Sequence, residues 1–174
     1  MPKTIHGMDL VLFFRKLADK ATEDGARLRF QTEHSISEGK ETESNPTKDG
    51  QVVNVTDGEG SIDFTSYAYT EDTGTIAMWE TLYEWFKDRE MTEIWEVNTE
   101  NVTSEGNYNP TYYVGYFTDY EKSAPADGIV ELNFTFTLEG SGVKGEDTLT
   151  EEQLATLGSK AREYESLNNS APGV

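Results

Sequence analysis

Apolar and polar residues alternate with period two along several stretches, the mark of strands with one buried face. Over residues 26–37, Leu28, Phe30, Thr32, His34 and Ile36 share one face, with Arg27, Arg29, Gln31 and Glu33 opposite. Over 60–69, Ile62 and Phe64 lead one face and Asp63 and Thr65 the other. The cleanest case is 129–138, where Val130, Leu132, Phe134, Phe136 and Leu138 point inward and Glu131, Asn133, Thr135 and Thr137 face out. Residues 10–17, 93–97 and 111–120 are rich in β-branched or aromatic side chains, which favour strands. The pattern predicts a mainly β chain.

Two stretches break that rhythm. Over 75–89, Ile76, Trp79, Leu82, Tyr83 and Phe86 recur at three- and four-residue steps, and the spacing predicts a helix with these five on its core face. Asp72 or Thr73 suits its start, and Lys87 and Arg89 suit its negative C-terminal end. A second helix is predicted from Thr150, where Thr150-Glu151-Glu152-Gln153 matches a capping box. Its stripe of Leu154, Leu157, Ala161 and Tyr164 is narrower and is interrupted by Gly158, which costs about 1 kcal/mol against alanine. Beyond Leu167 the chain is expected to fray. Residues 38–60 are polar, turn-rich and too long for an ordinary connection. With 51–55 able to pair as a short strand, they read as a projecting β-arm. The organisation expected is a β domain over 1–150, carrying the arm and the first helix, followed by a C-terminal helix and tail over 151–174.

Charge changes the picture more than composition does. Fourteen Lys plus Arg against 33 Asp plus Glu give 14 − 33 = −19 in 174 residues. Between Glu41 and Phe86 the sole basic residue is Lys48, and there is none between Glu90 and Glu121. Such a surface repels phosphate and argues against nucleic-acid binding. It fits either a solubilising shell or a surface that nucleic acid passes without sticking. The opening residues lack the pattern of a signal peptide, and the apolar run 10–14 is too short to span a bilayer. The expectation is a protein made in the cytoplasm, with no membrane partner.

Candidate chemistry is sparse. There is no cysteine, which excludes disulfides, thiolate metal sites and cysteine nucleophiles. His6 and His34 are the two histidines; His34 falls on an apolar face and reads as a satisfied structural residue. No nucleophile elbow or phosphate-cradling glycine motif occurs. The string Asp57-Gly58-Glu59-Gly60 hints at calcium but lacks the ligand spacing of an EF-hand loop, and reads as a turn between strands. No cofactor, metal site or catalytic group is expected. Tyr108, Tyr112, Tyr113, Tyr116 and Tyr120 are crowded enough to suggest a sugar-stacking platform, so a monomeric carbohydrate-binding β-sandwich is the rival reading. Ordinary strand and interface tyrosines are the simpler explanation.

Several strings, taken in order, resemble the major tail (tube) proteins of siphophages that infect Gram-positive bacteria. They are Phe14-Arg15-Lys16-Leu17, Phe30-Gln31-Thr32-Glu33-His34-Ser35 and Ser44-Asn45-Pro46-Thr47-Lys48-Asp49-Gly50. Ile94-Trp95-Glu96-Val97, Tyr113-Val114-Gly115-Tyr116-Phe117 and Gly145-Glu146-Asp147-Thr148-Leu149-Thr150 complete the series. The resemblance runs over about residues 9–150 and implies a two-sheet β-sandwich or barrel with a helix on its flank. It implies homo-hexameric rings stacked into a tube, with an arm reaching a neighbouring subunit, here through Pro46, Thr47, Lys48, Asp49 and Gly50. It also implies tape-measure, tail-terminator and distal-tail or baseplate proteins as partners, a place in the virion tail, and DNA passing through the lumen without specific binding. The outward set Glu131, Asn133, Thr135 and Thr137 is then the candidate lumen face.

Overall fold

The computed structural model describes residues 2–72 and 75–157. Its strands are β1 (Leu10–Lys16), β2 (Ala26–Arg27), β3 (Gln31–Thr47), β4 (Gly50–Tyr67), β5 (Glu71–Asp72), β6 (Thr75–Ile76), β7 (Thr92–Asn98), β8 (Thr111–Ser123), β9 (Glu131–Leu138) and β10 (Val143–Lys144). Helix α1 spans Met78–Asp88 and α2 spans Glu151–Leu157. The chain is mainly β, and the two layers expected of a sandwich are one continuous antiparallel sheet. It runs β2-β1-β7-β8-β9-β4-β3, with β10 added to β8.

The sheet doubles over because β8 changes neighbours along its length. Residues 111–115 pair with β7, and 115–123 pair with β9. Gly115 stands at the changeover, opposite both Thr92 and Leu138. A Cβ there would lie 1.9 Å from the Thr137 carbonyl oxygen, so only glycine lets the strands approach at this corner. The doubling brings Phe14 of β1 onto Phe64 of β4, with ring centroids 5.1 Å apart. Between the layers lie Leu12, Phe14, Ile94 and Tyr113 from one side and Ile62, Phe64, Leu132, Phe134 and Phe136 from the other. On the open side the Gln31 amide donates to the Leu12 carbonyl (3.2 Å) and to the Leu28 carbonyl (2.7 Å). This side-chain clasp draws β3 towards β1 without strand pairing, so the barrel stays open.

Helix α1 closes this core with Met78 and Leu82 buried, Trp79, Trp85 and Phe86 packed at its margin, and Tyr83 tilted against Tyr120 with ring centroids 4.6 Å apart. A smaller core of Val11, Phe13 and Val97 lies on the other face of β1 and β7, joined by Trp95, Tyr108 and Leu149. Both faces of β1 are therefore buried, as its uninterrupted apolar run requires. The second core is covered by the chain after β9, which pairs as β10 and exchanges backbone hydrogen bonds between Tyr108 and Asp147. The capping box forms as expected: Gln153 N–H donates to the Thr150 hydroxyl, and Thr150 N–H to the Gln153 side-chain oxygen. Gln153 also donates to the Gly25 carbonyl at 2.6 Å, fastening α2 to the body.

Four expectations change. The strand over 26–37 is broken, because Phe30 adopts φ 58 and turns its ring outward; the Gln31 clasp requires that turn. The first helix starts at Met78, and Ile76 lies exposed in β6, paired with Glu71, instead of on the helix stripe. Asp72 still serves the helix, since its carboxylate accepts the Met78 N–H at 2.9 Å. The string 57–60 lies within β4 and is no turn; pairing with β3 continues past it, with a register shift between Glu38 and Lys40. The arm is likewise paired along its whole length. The expected cap Thr73 and the stripe positions Gly158, Ala161 and Tyr164 fall outside the described residues.

Candidate functional site

Two exposed surfaces dominate the molecule. The first is the arm, residues 38–60, in which β3 and β4 run beyond the body as a two-stranded ribbon. With no layer beneath it, almost every residue is exposed, and cross-strand bonds hold the ribbon instead. Lys40 pairs with Asp57 near the base, where the Glu38 carboxylate accepts the Gly142 N–H at 2.7 Å. At the tip, the Thr47 hydroxyl donates to the Gly50 carbonyl (2.6 Å) and accepts the Asp49 N–H (3.2 Å). Gly50 has φ 119, a conformation open to glycine. Pro46, Thr47, Lys48, Asp49 and Gly50 are all exposed around this turn.

The second surface is the outward face of β8-β9-β4-β3. Glu131, Asn133, Thr135 and Thr137 all lie on it, as their alternation requires, because Leu132, Phe134 and Phe136 are buried beneath. Hydroxyls stitch it across the strands: Thr65 donates to Asn133 and Thr135 to Asp63, each at 2.7 Å, while Thr118 and Thr137 hydroxyls meet at 3.0 Å. In register beside β9 stand Glu33, Asp63, Asp119 and Glu121, so with Glu131 the face carries five carboxylates and no lysine or arginine. Among the described residues, a strand edge without a pairing strand runs on each side of this face. Strand β3 pairs only with β4, and residues 116–123 of β8 only with β9.

The remaining candidates have structural employment. His34 Nε2 lies 2.6 Å from a Glu96 carboxylate oxygen, bridging β3 to β7 across the two layers, which bears out its structural reading. The five tyrosines build no platform. Tyr113 is in the core, Tyr120 lies under Tyr83, Tyr112 donates to Glu93, Tyr108 sits beside the second core and Tyr116 is exposed. Among the described residues no His, Asp or Glu cluster is arranged for a metal, and no helix is long and apolar enough to cross a membrane.

Sequence reasoning missed the buried carboxylate of Glu93. It accepts from Arg15 Nε and from the Tyr112 hydroxyl, both at 2.6 Å, and the Arg15 guanidinium lies over the Trp95 ring at 4.9 Å. The hydrogen bond to Glu93 raises the Arg15 pKa. Burial, with Glu93 adding to it, raises that of Tyr112. Each carboxylate oxygen accepts one of these hydrogen bonds, and together they tie β7 to β1 and β8. A charged residue at an inward strand position was the signal available.

Comparison with known proteins accords with this geometry. The family described as "Phage tail tube protein" matches residues 4–144. The chain belongs to the phage tail tube protein family. The tail tube protein of Bacillus phage SPP1 is 29% identical over 160 residues, covering 87% of this chain and 56% of that protein; the chain thus spans little more than half of that relative's length. Among solved structures, the SPP1 tail tube has the same fold with a TM-score of 0.67 at 18% identity, covering 98% of both chains. A subunit from the tail of an empty gene transfer agent particle, refined with C6 helical symmetry, gives a TM-score of 0.54 at 16% identity over 80% of this chain and 98% of that one. The chain is a tail tube subunit of the virion, a structural protein and not an enzyme.

Proposed function

We propose that this chain closes into six-membered rings by strand-edge pairing, and that the rings stack into a conduit for DNA. The observation that carries the reading is the pair of free edges on either side of one polar, acidic face. Within β3-β4-β9-β8 every neighbour is antiparallel, so β8 of one subunit would meet β3 of the next antiparallel too. Such a joint is heterologous and closes into a ring, and it removes both exposed edges at once. The C6 symmetry of the gene transfer agent tail supports six copies. Six copies of four strands make a barrel of about 24 strands, roughly 50 Å across at the backbone for the usual spacing and tilt.

The lumen would then be lined by Glu131, Asn133, Thr135, Thr137 and the acidic neighbours of β9. Carboxylates there repel phosphate, so DNA slides instead of binding. Tape-measure, terminator and baseplate proteins are the partners that a conduit of this kind needs, and the arm tip 46–50 engages a neighbouring subunit. Assembly would take place in the host cytoplasm. The test is negative-stain imaging of concentrated protein together with ejection from phages carrying Glu131→Lys. Tubes with slowed ejection are expected; tubes with Glu131 facing the lumen and normal ejection would remove the electrostatic role.

A further inference from the structure

Phe30 is held in a conformation that aromatic residues seldom adopt. Two described non-glycine residues have positive φ, Phe30 at 58 and Arg89 at 55, and Arg89 has an ordinary reason as the C-cap of α1. The turn at Phe30 is needed so that Gln31 can clasp β1, and the Phe30 carbonyl accepts the Tyr67 N–H at 3.1 Å. Nothing in that turn needs an aromatic ring, and glycine or asparagine would meet its backbone demand more easily. The ring nevertheless stands 52% exposed, steadied by Tyr69 at 5.4 Å and the Arg29 guanidinium at 5.3 Å. Tyr67, whose N–H bonds the Phe30 carbonyl, is exposed as well, and so is Ile129, next to the Val130 carbonyl that accepts the Ala68 N–H. Strained backbone that presents an uncovered ring marks a contact site.

The complementary feature lies at the far end of the β3–β4 hairpin that begins just after Phe30. Val52, Val53 and Val55 on the arm are 57%, 57% and 56% exposed, on a ribbon that otherwise carries polar groups. Strand β3 has 17 residues and spans about 55 Å, so no chain can lay its own arm on its own Phe30. In a head-to-tail stack these two ends meet on different copies. The charges suit one another as well. Residues 38–60 hold six carboxylates against two lysines, 2 − 6 = −4, whereas Arg27 and Arg29 lie just before Phe30 in the chain.

We propose that the rim around Phe30 is the seat for the valine-bearing arm of a second copy of this chain in the adjoining ring. The proposal rests on the tube reading and assigns the arm its acceptor. The absence of cysteine makes a disulfide test clean. A Phe30→Cys/Val53→Cys chain, oxidised after assembly, should give a ladder of covalent oligomers from tubes and none from dilute monomer, since a disulfide needs the two Cα atoms within about 7 Å.

Separately, Phe30→Asn should raise the concentration needed for tube growth roughly tenfold or more and leave the unfolding midpoint unchanged or higher. Should that variant fail to fold, Val53→Ser/Val55→Ser decides, because those side chains touch no core; it should show the same assembly loss. Tubes that grow at the wild-type concentration from these variants, with no ladder from the cysteine pair, would overturn the seat and leave the tube reading standing. Wild-type protein that forms no tubes at any concentration and is missing from isolated tails would overturn both.

Discussion

Glu93→Gln removes one charge and leaves the side-chain shape almost unchanged, which makes it a sharp probe of the cluster it anchors. Glu93 is 3% exposed and Arg15 20% exposed, with 2.6 Å between them. The variant strands the Arg15 cation over Trp95 and turns an acceptor towards it into an amide. Breaking a buried pair from one side costs about 3–5 kcal/mol. The partial exposure of Arg15 lets water recover some of that, so about 2–4 kcal/mol is the expected loss. For a chain this size that is roughly 5–15 °C in Tm, or a fall of roughly 1–2 M in the urea midpoint. The assay is urea unfolding of monomer separated from polymer by size, followed by tryptophan fluorescence. Arg15→Met/Glu93→Gln should lose less than the sum of the two single changes, because the stranded charge is gone. A loss below about 0.5 kcal/mol for Glu93→Gln, or strict additivity in the cycle, would refute the claim that this pair joins β1 to β7 energetically.

Leu82→Ala should destabilise the monomer by about 2–5 kcal/mol, since Leu82 is the fully buried residue of α1; a thermal melt without loss would place the helix elsewhere. Burial holds the Tyr69 and Tyr113 hydroxyls up at about 12, against about 10 in an unfolded chain. Their contribution is therefore complete below pH 10 and is lost as pH rises through about 12, so the urea midpoint should fall across that window while tyrosinate absorbance appears; a flat midpoint would contradict the burial. Replacing 45–50 with a Gly/Ser linker should leave a folded, soluble subunit that forms no stable tubes on size exclusion and imaging, because the arm packs on no core.

Strands with one wet and one dry face are legible in the amino-acid pattern itself. The alternation over 129–138 places Leu132, Phe134 and Phe136 in the core and the four β9 polar residues outside, and the fold keeps that arrangement. The capping box at Thr150 is equally readable, being a local exchange of hydrogen bonds. The arm reads as a projection but not as continuous strands, because a ribbon solvated on both faces has no hydrophobic period. Phe30 misleads for a different reason. Its place in the alternation is correct, but a single positive φ reverses the side chain, and apolar pattern does not encode φ. Ile76 joins a helical stripe by spacing alone, whereas the Asp72 carboxylate decides where the helix begins. The Glu93 cluster joins residues 78 positions apart, a separation that no local pattern spans.

Gly115 bears on the mechanics of an assembled tail. Because β8 passes through that corner as one unbroken strand, the liner and the outer casing of the proposed tube would be the same covalent chain. Tension applied to the inner wall is carried into the outer layer by peptide bonds, and the two cannot delaminate without unfolding the subunit. The joints between subunits have only hydrogen bonds and side-chain contacts to resist the same load. A tail bent or sheared to failure should therefore part along seams between subunits, leaving whole folded chains on both sides of the break.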